Sequence, residues 1–344
     1  MSVLGKTLRT GALALAVCTA AAVGQADAQT TLRVSNWLPP GHPLMTDIIG
    51  PWGEKVEEVT DGRVKVEVMQ APIGKPPAQY DLIRNGAADV AYGVHGYTPN
   101  RFGLTSLVEL PFLSNTSEAL SVAYWRVFEE YLKEANEHEG VKVVTLFTHG
   151  PGEIYTTQDA VTSADQLNGA KYRVGGGLAN MVAQKLGIVP VSAPSPQVYE
   201  ILSNGVADGI LFPAESVPFF KIDTVIKNGT SVDGGLYNTS FFIIMNQRTW
   251  DGLSEEDQKA IDEVSGETLA RIAGQAWDNA DTAGVEKMKS EGIEIIEADD
   301  AFMSALQEKL AGIDSVFLDA AKEKGIDGEA ALKMLKEEVA KESK

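Results

Sequence analysis

The sequence predicts an α/β protein of two similarly built lobes, each a β-sheet flanked by helices. Three observations carry that prediction. Tyr80-Asp81-Leu82-Ile83-Arg84-Asn85-Gly86-Ala87-Ala88-Asp89 aligns without gaps on Tyr199-Glu200-Ile201-Leu202-Ser203-Asn204-Gly205-Val206-Ala207-Asp208, 119 positions later. Each copy sets an aromatic and two branched apolar residues at helical spacing. Asn-Gly then stands where a helix takes a left-handed stop, and Ala-Asp leads into an apolar run, so each copy reads as helix, cap and strand. From Leu32 through the first copy and its strand, strand and helix patterns alternate, a βαβαβ order that favours parallel strands with helices on both faces. Finally, no low-complexity linker separates the copies, so strands and a long helix join the lobes. The residues that follow the two repeat strands, Tyr92 to Tyr97 and Phe212 to Ser216, then face each other across a cleft.

The elements follow in order. Leu32 to Ser35 alternates as a strand, and Trp37-Leu38-Pro39-Pro40-Gly41-His42-Pro43 breaks it before an amphipathic helix from about Leu44 to Thr60. Val64 to Met69 alternates as a second strand, and the first repeat helix and strand follow after a Pro-rich loop. Ser117 to Glu137 has the pattern of an amphipathic helix capped by Ser117. Val141 to Phe147 is apolar enough to be a central, buried strand. Thr148-His149-Gly150-Pro151-Gly152 reads as a hinge, after which the pattern restarts: strand Lys171 to Val174, three glycines, helix Leu178 to Leu186, and the second repeat unit. Phe241 to Met245 is another apolar strand. Beyond it Ser254 caps an acidic first turn, and Glu255 to Lys289 is almost unbroken helix pattern, with Ile293 to Ile296 as a last short strand.

Composition narrows the function. Lys6 and Arg9 precede an apolar run from Gly11 to Val23, and Ala26-Asp27-Ala28 offers a small-x-small cleavage pattern, so 1–28 reads as a cleaved secretory signal and the site of action as the periplasm. The single cysteine, Cys18, lies inside that leader with Val17 before it, which argues against a lipid anchor and leaves the mature chain without thiols. No later stretch reaches the roughly 20 apolar residues of a spanning helix. Without Lys6, Arg9 and Asp27 the chain carries 27 basic and 47 acidic residues, which disfavours nucleic acid and anionic lipid as partners. A single buried arginine can still dominate its own pocket, because salt screens charge over about 8 Å.

Arg173 is the leading candidate for chemistry. It sits in Lys171-Tyr172-Arg173-Val174-Gly175-Gly176-Gly177, where a strand ends in glycines that open a helix. Open α/β folds bind ligands at such strand ends, Gly175 and its neighbours let a ligand approach the backbone, and a guanidinium fork matches a carboxylate. The competing reading is a surface arginine beside a glycine turn. First-lobe candidates are Trp37, His42, Tyr92, His95 and Tyr97, each just beyond a strand. In the second lobe Phe212 and Glu215 end the repeat strand. Three roles are open to Glu215: neutralising Arg173, accepting a ligand hydroxyl or ammonium, or ligating a cation that bridges to the ligand. No nucleotide-binding glycine motif, nucleophile elbow or histidine metal spacing is present, so no catalytic residue or resident cofactor is assigned. An exported hydrolase using Glu215 and Glu153 is the enzymatic alternative.

Two segments carry a family resemblance. Leu167-Asn168-Gly169-Ala170-Lys171-Tyr172-Arg173-Val174 and Gln197 to Gly209, supported by Phe102-Gly103-Leu104-Thr105 and Glu109-Leu110-Pro111-Phe112, resemble the extracytoplasmic substrate-binding proteins of TRAP transporters, the DctP-like family. The resemblance implies a two-lobed periplasmic-binding-protein fold with chain crossovers and a long helix spanning both lobes. It also implies closure around a small organic acid and delivery to the small and large membrane permease subunits. Lobe I then takes 29–150 and about 238–275, and lobe II takes 151–237 and about 276–344. The family's carboxylate-pairing arginine falls on Arg173. After the second repeat the chain has Leu211-Phe212-Pro213-Ala214-Glu215-Ser216, a departure from many members, so ligand identity does not carry over. A solute receptor of an ABC importer or a sensor kinase is the alternative binding role.

Overall fold

The structure, a computed structural model, describes residues 29–98 and 100–344. The predicted signal, 1–28, lies outside them. Two mixed β-sheets organise the chain. The first has the order β2-β1-β3-β10-β4, from β1 (Thr30–Ser35), β2 (Val64–Val68), β3 (Val90–Val94), β4 (Val141–Thr148) and β10 (Ser240–Asn246). The second has the order β11-β9-β5-β8-β6-β7, from β5 (Glu153–Thr156), β6 (Lys171–Val174), β7 (Val189–Ser192), β8 (Gly209–Phe212), β9 (Asn228–Ser231) and β11 (Glu294–Glu297). The parallel sheets expected from the βαβαβ order are only part of the picture. β10 runs antiparallel to β3 and β4, and β5 runs antiparallel to β8 and β9. Both exceptions arise where the chain crosses between sheets, from β4 into β5 and back from β9 into β10.

The repeat builds equivalent parts. Helices Gln79–Arg84 and Val198–Ser203 stop at Gly86 (φ +78°) and Gly205 (φ +66°), conformations that glycine adopts without a Cβ penalty, and lead into β3 and β8. The closing aspartates act alike. Asp89 Oδ2 accepts the Arg33 amide at 2.9 Å, and Asp208 Oδ2 accepts the Lys171 amide at 3.2 Å, each tying the repeat strand to a parallel neighbour.

Several helices differ from their sequence patterns for local reasons. The helix expected at Leu44 to Thr60 opens as a wide π turn, Leu44–Ile49, because Pro51 cannot donate back along the chain, and continues as Gly50–Val59. The one expected at Ser117 to Glu137 ends as Ser117–Val127, loosens through Phe128–Leu132, and stops at left-handed Asn136. Ser117 is not its cap. Its hydroxyl donates to the Thr148 carbonyl, and the first amides go to the carboxylate of Asp278. The long C-terminal pattern splits at Gly266 (φ +56°) into Glu255–Glu263, capped by Ser254 as expected, and Gly266–Ser290.

Gly266–Ser290 spans both lobes. Its 25 residues give a rod of about 38 Å, and two glycines let backbone approach it closely. A Cβ on Gly274 would lie 2.3 Å from Glu118 Cα in the first lobe, and one on Gly284 would lie 2.6 Å from the Ala214 carbonyl oxygen in the second. Among the described residues no helix is long and apolar enough to cross a membrane.

Candidate ligand-binding site

The C-terminal ends of β1, β3, β6 and β8 converge on a narrow cavity between the sheets, with about 40 Å³ of water-accessible space. Trp37, Leu38, Val94, Phe212, Phe220, Phe241 and Trp277 make its walls aromatic and aliphatic, and Arg173, His149, Tyr237, Thr239, Ser195 and Ser216 supply its polar groups.

Arg173 is the unusual member. It is only 1% exposed, and its Nε and Nη2 both donate to the Ala193 carbonyl, at 2.9 and 2.6 Å. That fixes one edge of the guanidinium, while the Phe212 ring lies under it at 4.8 Å. Among the described residues no acceptor takes Nη1, and no carboxylate lies within 4.0 Å of the side chain. A buried cation without a counter-charge is costly. An anion bound in the cavity removes that cost.

The neighbouring polar atoms suit an acid. Tyr237 Oη has no protein partner among the described residues, and burial pushes its pKa upward although Arg173 opposes the shift, so it stays a hydroxyl that can donate. His149 is neutral at ordinary pH, its pKa pulled down to about 4 by burial, with the Arg173 charge acting in the same direction.

Six of the residues predicted from sequence line the cavity: Arg173, Gly175, Phe212, Trp37, His42 and Tyr97. Three others are not on its wall. Tyr92 is fully buried behind Trp37, stacking on it at 5.2 Å, while its hydroxyl accepts the Trp37 and Leu38 amides and donates to Asn36. It lies on β3 itself, facing the sheet's core, and so positions Trp37. His95 turns away into a buried cluster, with ring nitrogens 3.0 Å from Ser240 Oγ and 2.9 Å from His138. Glu215 points behind the cavity toward His42, with Oε1 3.2 Å from Nε2. The Leu44 amide donates to His42 Nδ1, which puts the proton of the neutral ring on Nε2, yet that N–H does not line up with Oε1. Burial raises the Glu215 carboxyl well above its usual range and lowers His42 to about 3. Glu215 therefore does not neutralise Arg173. No group of three or more His, Cys, Asp or Glu among the described residues could hold a metal ion. Glu153 also lies away from the cavity, accepting the Val232 amide, so the two carboxyls proposed for a hydrolase do not share a site.

Trp277, Phe241, Tyr237 and Thr239 were missed. Trp277 lies inside an amphipathic helix and Phe241 inside an apolar strand, where an aromatic reads as core. No local sequence signal marks them as cavity wall.

The lobes meet around the site. Tyr97 Oη accepts the Ser195 amide at 3.0 Å across the cleft. Glu109 takes the Leu178 amide at 3.0 Å with one oxygen and the Ser240 amide and hydroxyl with the other, capping a second-lobe helix from the first lobe. The Gly96 and Gly176–Gly177 backbones touch: a Cβ on Gly176 would lie 2.4 Å from the Gly96 carbonyl oxygen.

Residues 34–315 match the family described as bacterial extracellular solute-binding protein, family 7. The chain belongs to that family. The chain is 32% identical over 322 residues to the outer membrane transporter protein TsaT of Comamonas testosteroni, covering 92% of this chain and 95% of that protein. A TRAP periplasmic solute-binding protein from Bordetella bronchiseptica, solved with bound (R)-mandelate and (S)-mandelate, is 41% identical, with a TM-score of 0.89 over 91% of this chain and 99% of that one. A marine metagenome TRAP solute-binding protein from an unidentified microbe, specific for aromatic acid ligands and solved with metahydroxyphenylacetate, is 32% identical, with a TM-score of 0.85 over 92% of this chain and 100% of that one.

Proposed function

We propose that this family member works in the periplasm, capturing a single-ring aromatic carboxylate between its lobes and handing it to the small and large permease subunits of a TRAP transporter. The observation that carries the reading is the buried Arg173 guanidinium, held along one edge by Ala193 and facing an aromatic-walled cavity, with no carboxylate within 4.0 Å among the described residues. A ligand carboxylate supplies the missing charge through a charge-assisted hydrogen bond worth about 1.5–3 kcal/mol. The ring of the acid fills the space between Trp37, Phe212, Phe241 and Trp277. The guanidinium itself is the counter-ion, so the reading invokes no bridging cation. The aromatic acids bound by the Bordetella and marine relatives support the ligand class.

Closure follows from differential affinity. With the lobes apart, Arg173 is hydrated and the Tyr97–Ser195 and Glu109–Leu178 contacts are absent. A ligand touching both lobes favours the closed arrangement. Thermal unfolding with matched acids and amides tests the ligand class. Benzoate, phenylacetate or mandelate at 100 times its Kd adds about 2.7 kcal/mol of stability and raises the midpoint, whereas benzamide and phenylacetamide leave it unmoved. Equal shifts by acids and amides would remove the arginine from the explanation.

A further inference from the structure

We infer that His149 reads a hydroxyl group on the ligand, so that the site prefers hydroxylated aromatic acids to their unsubstituted and keto counterparts. The inference rests on the proposed carboxylate function and names a narrower class of ligand within it.

The argument starts from one hydrogen bond. His149 Nδ1 contacts the carbonyl oxygen of Gly150, at the hinge where β4 leaves the first sheet. A carbonyl oxygen has no proton to give, so Nδ1 must carry one. In a neutral imidazole the other nitrogen is then a bare lone pair, and the ring is neutral here for the reasons of burial and charge given above. Among the described residues Nε2 has no protein partner, yet it is not one of their sealed, unsatisfied polar atoms. Because His149 lines the cavity, Nε2 opens onto it.

The other polar groups on the wall divide by what they can exchange. Arg173 can only donate. The hydroxyls of Tyr237, Thr239 and Ser195 can donate or accept, so they do not distinguish a hydroxyl from a carbonyl. His149 Nε2 can only accept, and so it distinguishes them. A ligand carboxylate and a ligand ketone both present lone pairs and would meet Nε2 with repulsion. A ligand hydroxyl gives it a proton. The two groups thus specify a ligand with a carboxylate at the guanidinium and an O–H at the imidazole.

Titration calorimetry on matched sets tests this: mandelate against phenylacetate and phenylglyoxylate, and 3-hydroxybenzoate against benzoate. For the wild-type protein at least one hydroxylated member should bind about tenfold or more tighter than its parent acid, the worth of one hydrogen bond, and phenylglyoxylate should bind most weakly of its set. His149→Phe keeps a ring in the same space but has no lone pair. Whatever its affinity for phenylacetate, its preference for the hydroxylated member of each set should disappear. Because His149 is buried, a second measurement needs no variant: the imidazole nitrogen shifts of the wild-type protein should show Nε2 unprotonated and moving on addition of mandelate. If no hydroxylated member is preferred, or if Nε2 proves to carry the proton, the inference is overturned while the carboxylate reading stands. If none of the five acids binds, the carboxylate reading itself fails and the inference falls with it.

Discussion

Arg173, the residue proposed to hold the ligand, is set apart from the structural arginines by what it lacks. Two of the structural arginines are matched by carboxylates: Arg126 reaches Glu267, Glu338 and Glu342, and Arg271 reaches Glu118 and Glu342. Those pairs pin the C-terminal helix Gly328–Glu342 to the helix Ser117–Val127 and to the long helix. Arg173 has a carbonyl and an aromatic face only. Its candidacy was legible in the sequence because a strand, an arginine and three glycines in succession imply a strand-end site. The role of Asp281 was not, since one aspartate in a long helix has the pattern of a solvated face. In the structure Asp281 Oδ1 accepts the Glu215 amide at 2.7 Å, and burial, with Asp278 adding to it, pushes its pKa from 3.8 to about 7. Raised above the unfolded value, this group keeps its proton when folded through that window. Stability linked to it is present at about pH 4, is lost as pH rises toward 7, and changes no further beyond. Asp281→Asn retains the acceptor and never ionises, so its stability relative to wild type should grow between pH 4 and 7.5, by up to about 4 kcal/mol. Urea unfolding of both proteins at the two pH values measures the gap, and the buried histidines, which titrate in the opposite sense, cancel in the comparison. A gap that is the same at both values contradicts the assignment.

At the level of elements, the repeat was the most readable feature, because a helix stop at Asn-Gly and an aspartate that ties one strand to the next are local chemistry. The crossovers were not. Nothing in Phe241 to Met245 marks it as an antiparallel insertion between β3 and β4, since an apolar run satisfies a buried strand in either direction. The caps were legible in part: Ser254 holds its own helix, whereas the first amides of Ser117–Val127 are held by Asp278, 161 residues away in sequence. The glycine run after β6 was read as room for a ligand. Gly175 does border the cavity, but Gly176 (φ +90°) serves contact between the lobes, facing Gly96 so closely that any side chain would strike backbone. Gly176→Ala should therefore obstruct closure. Its expected signature is at least about tenfold weaker binding of an aromatic acid and a smaller ligand-induced contraction in X-ray scattering, with Arg173 untouched. Unchanged affinity and contraction would mean the Gly96–Gly176 contact plays no part in closing the lobes.

For the whole molecule, the fold places a cation at the junction of two sheets and surrounds it with aromatic side chains from both lobes and from the helix that joins them. Trp37 and Tyr97 come from the first lobe, Phe212 and Phe220 from the second, and Trp277 from the long helix, so no single lobe holds a complete wall. Under the proposed function a ligand must bridge the lobes to be enclosed, and that coupling would turn binding into a change of shape that a permease could sense. Such a wall cannot be read locally from sequence, because its parts are scattered over 240 positions, from Trp37 to Trp277, and each alone looks like core. The central claim is that the Arg173 charge holds the ligand carboxylate, and calorimetric titration of mandelate and benzoate into wild type and Arg173→Met tests it most directly. Thermal melts of the unliganded variant establish that it is folded, and because Arg173 is hydrated while the lobes are apart, its loss should leave the midpoint close to that of wild type. The account predicts binding by wild type and a loss of at least about 100-fold in the variant; a folded Arg173→Met protein that binds these acids as tightly as wild type would contradict it.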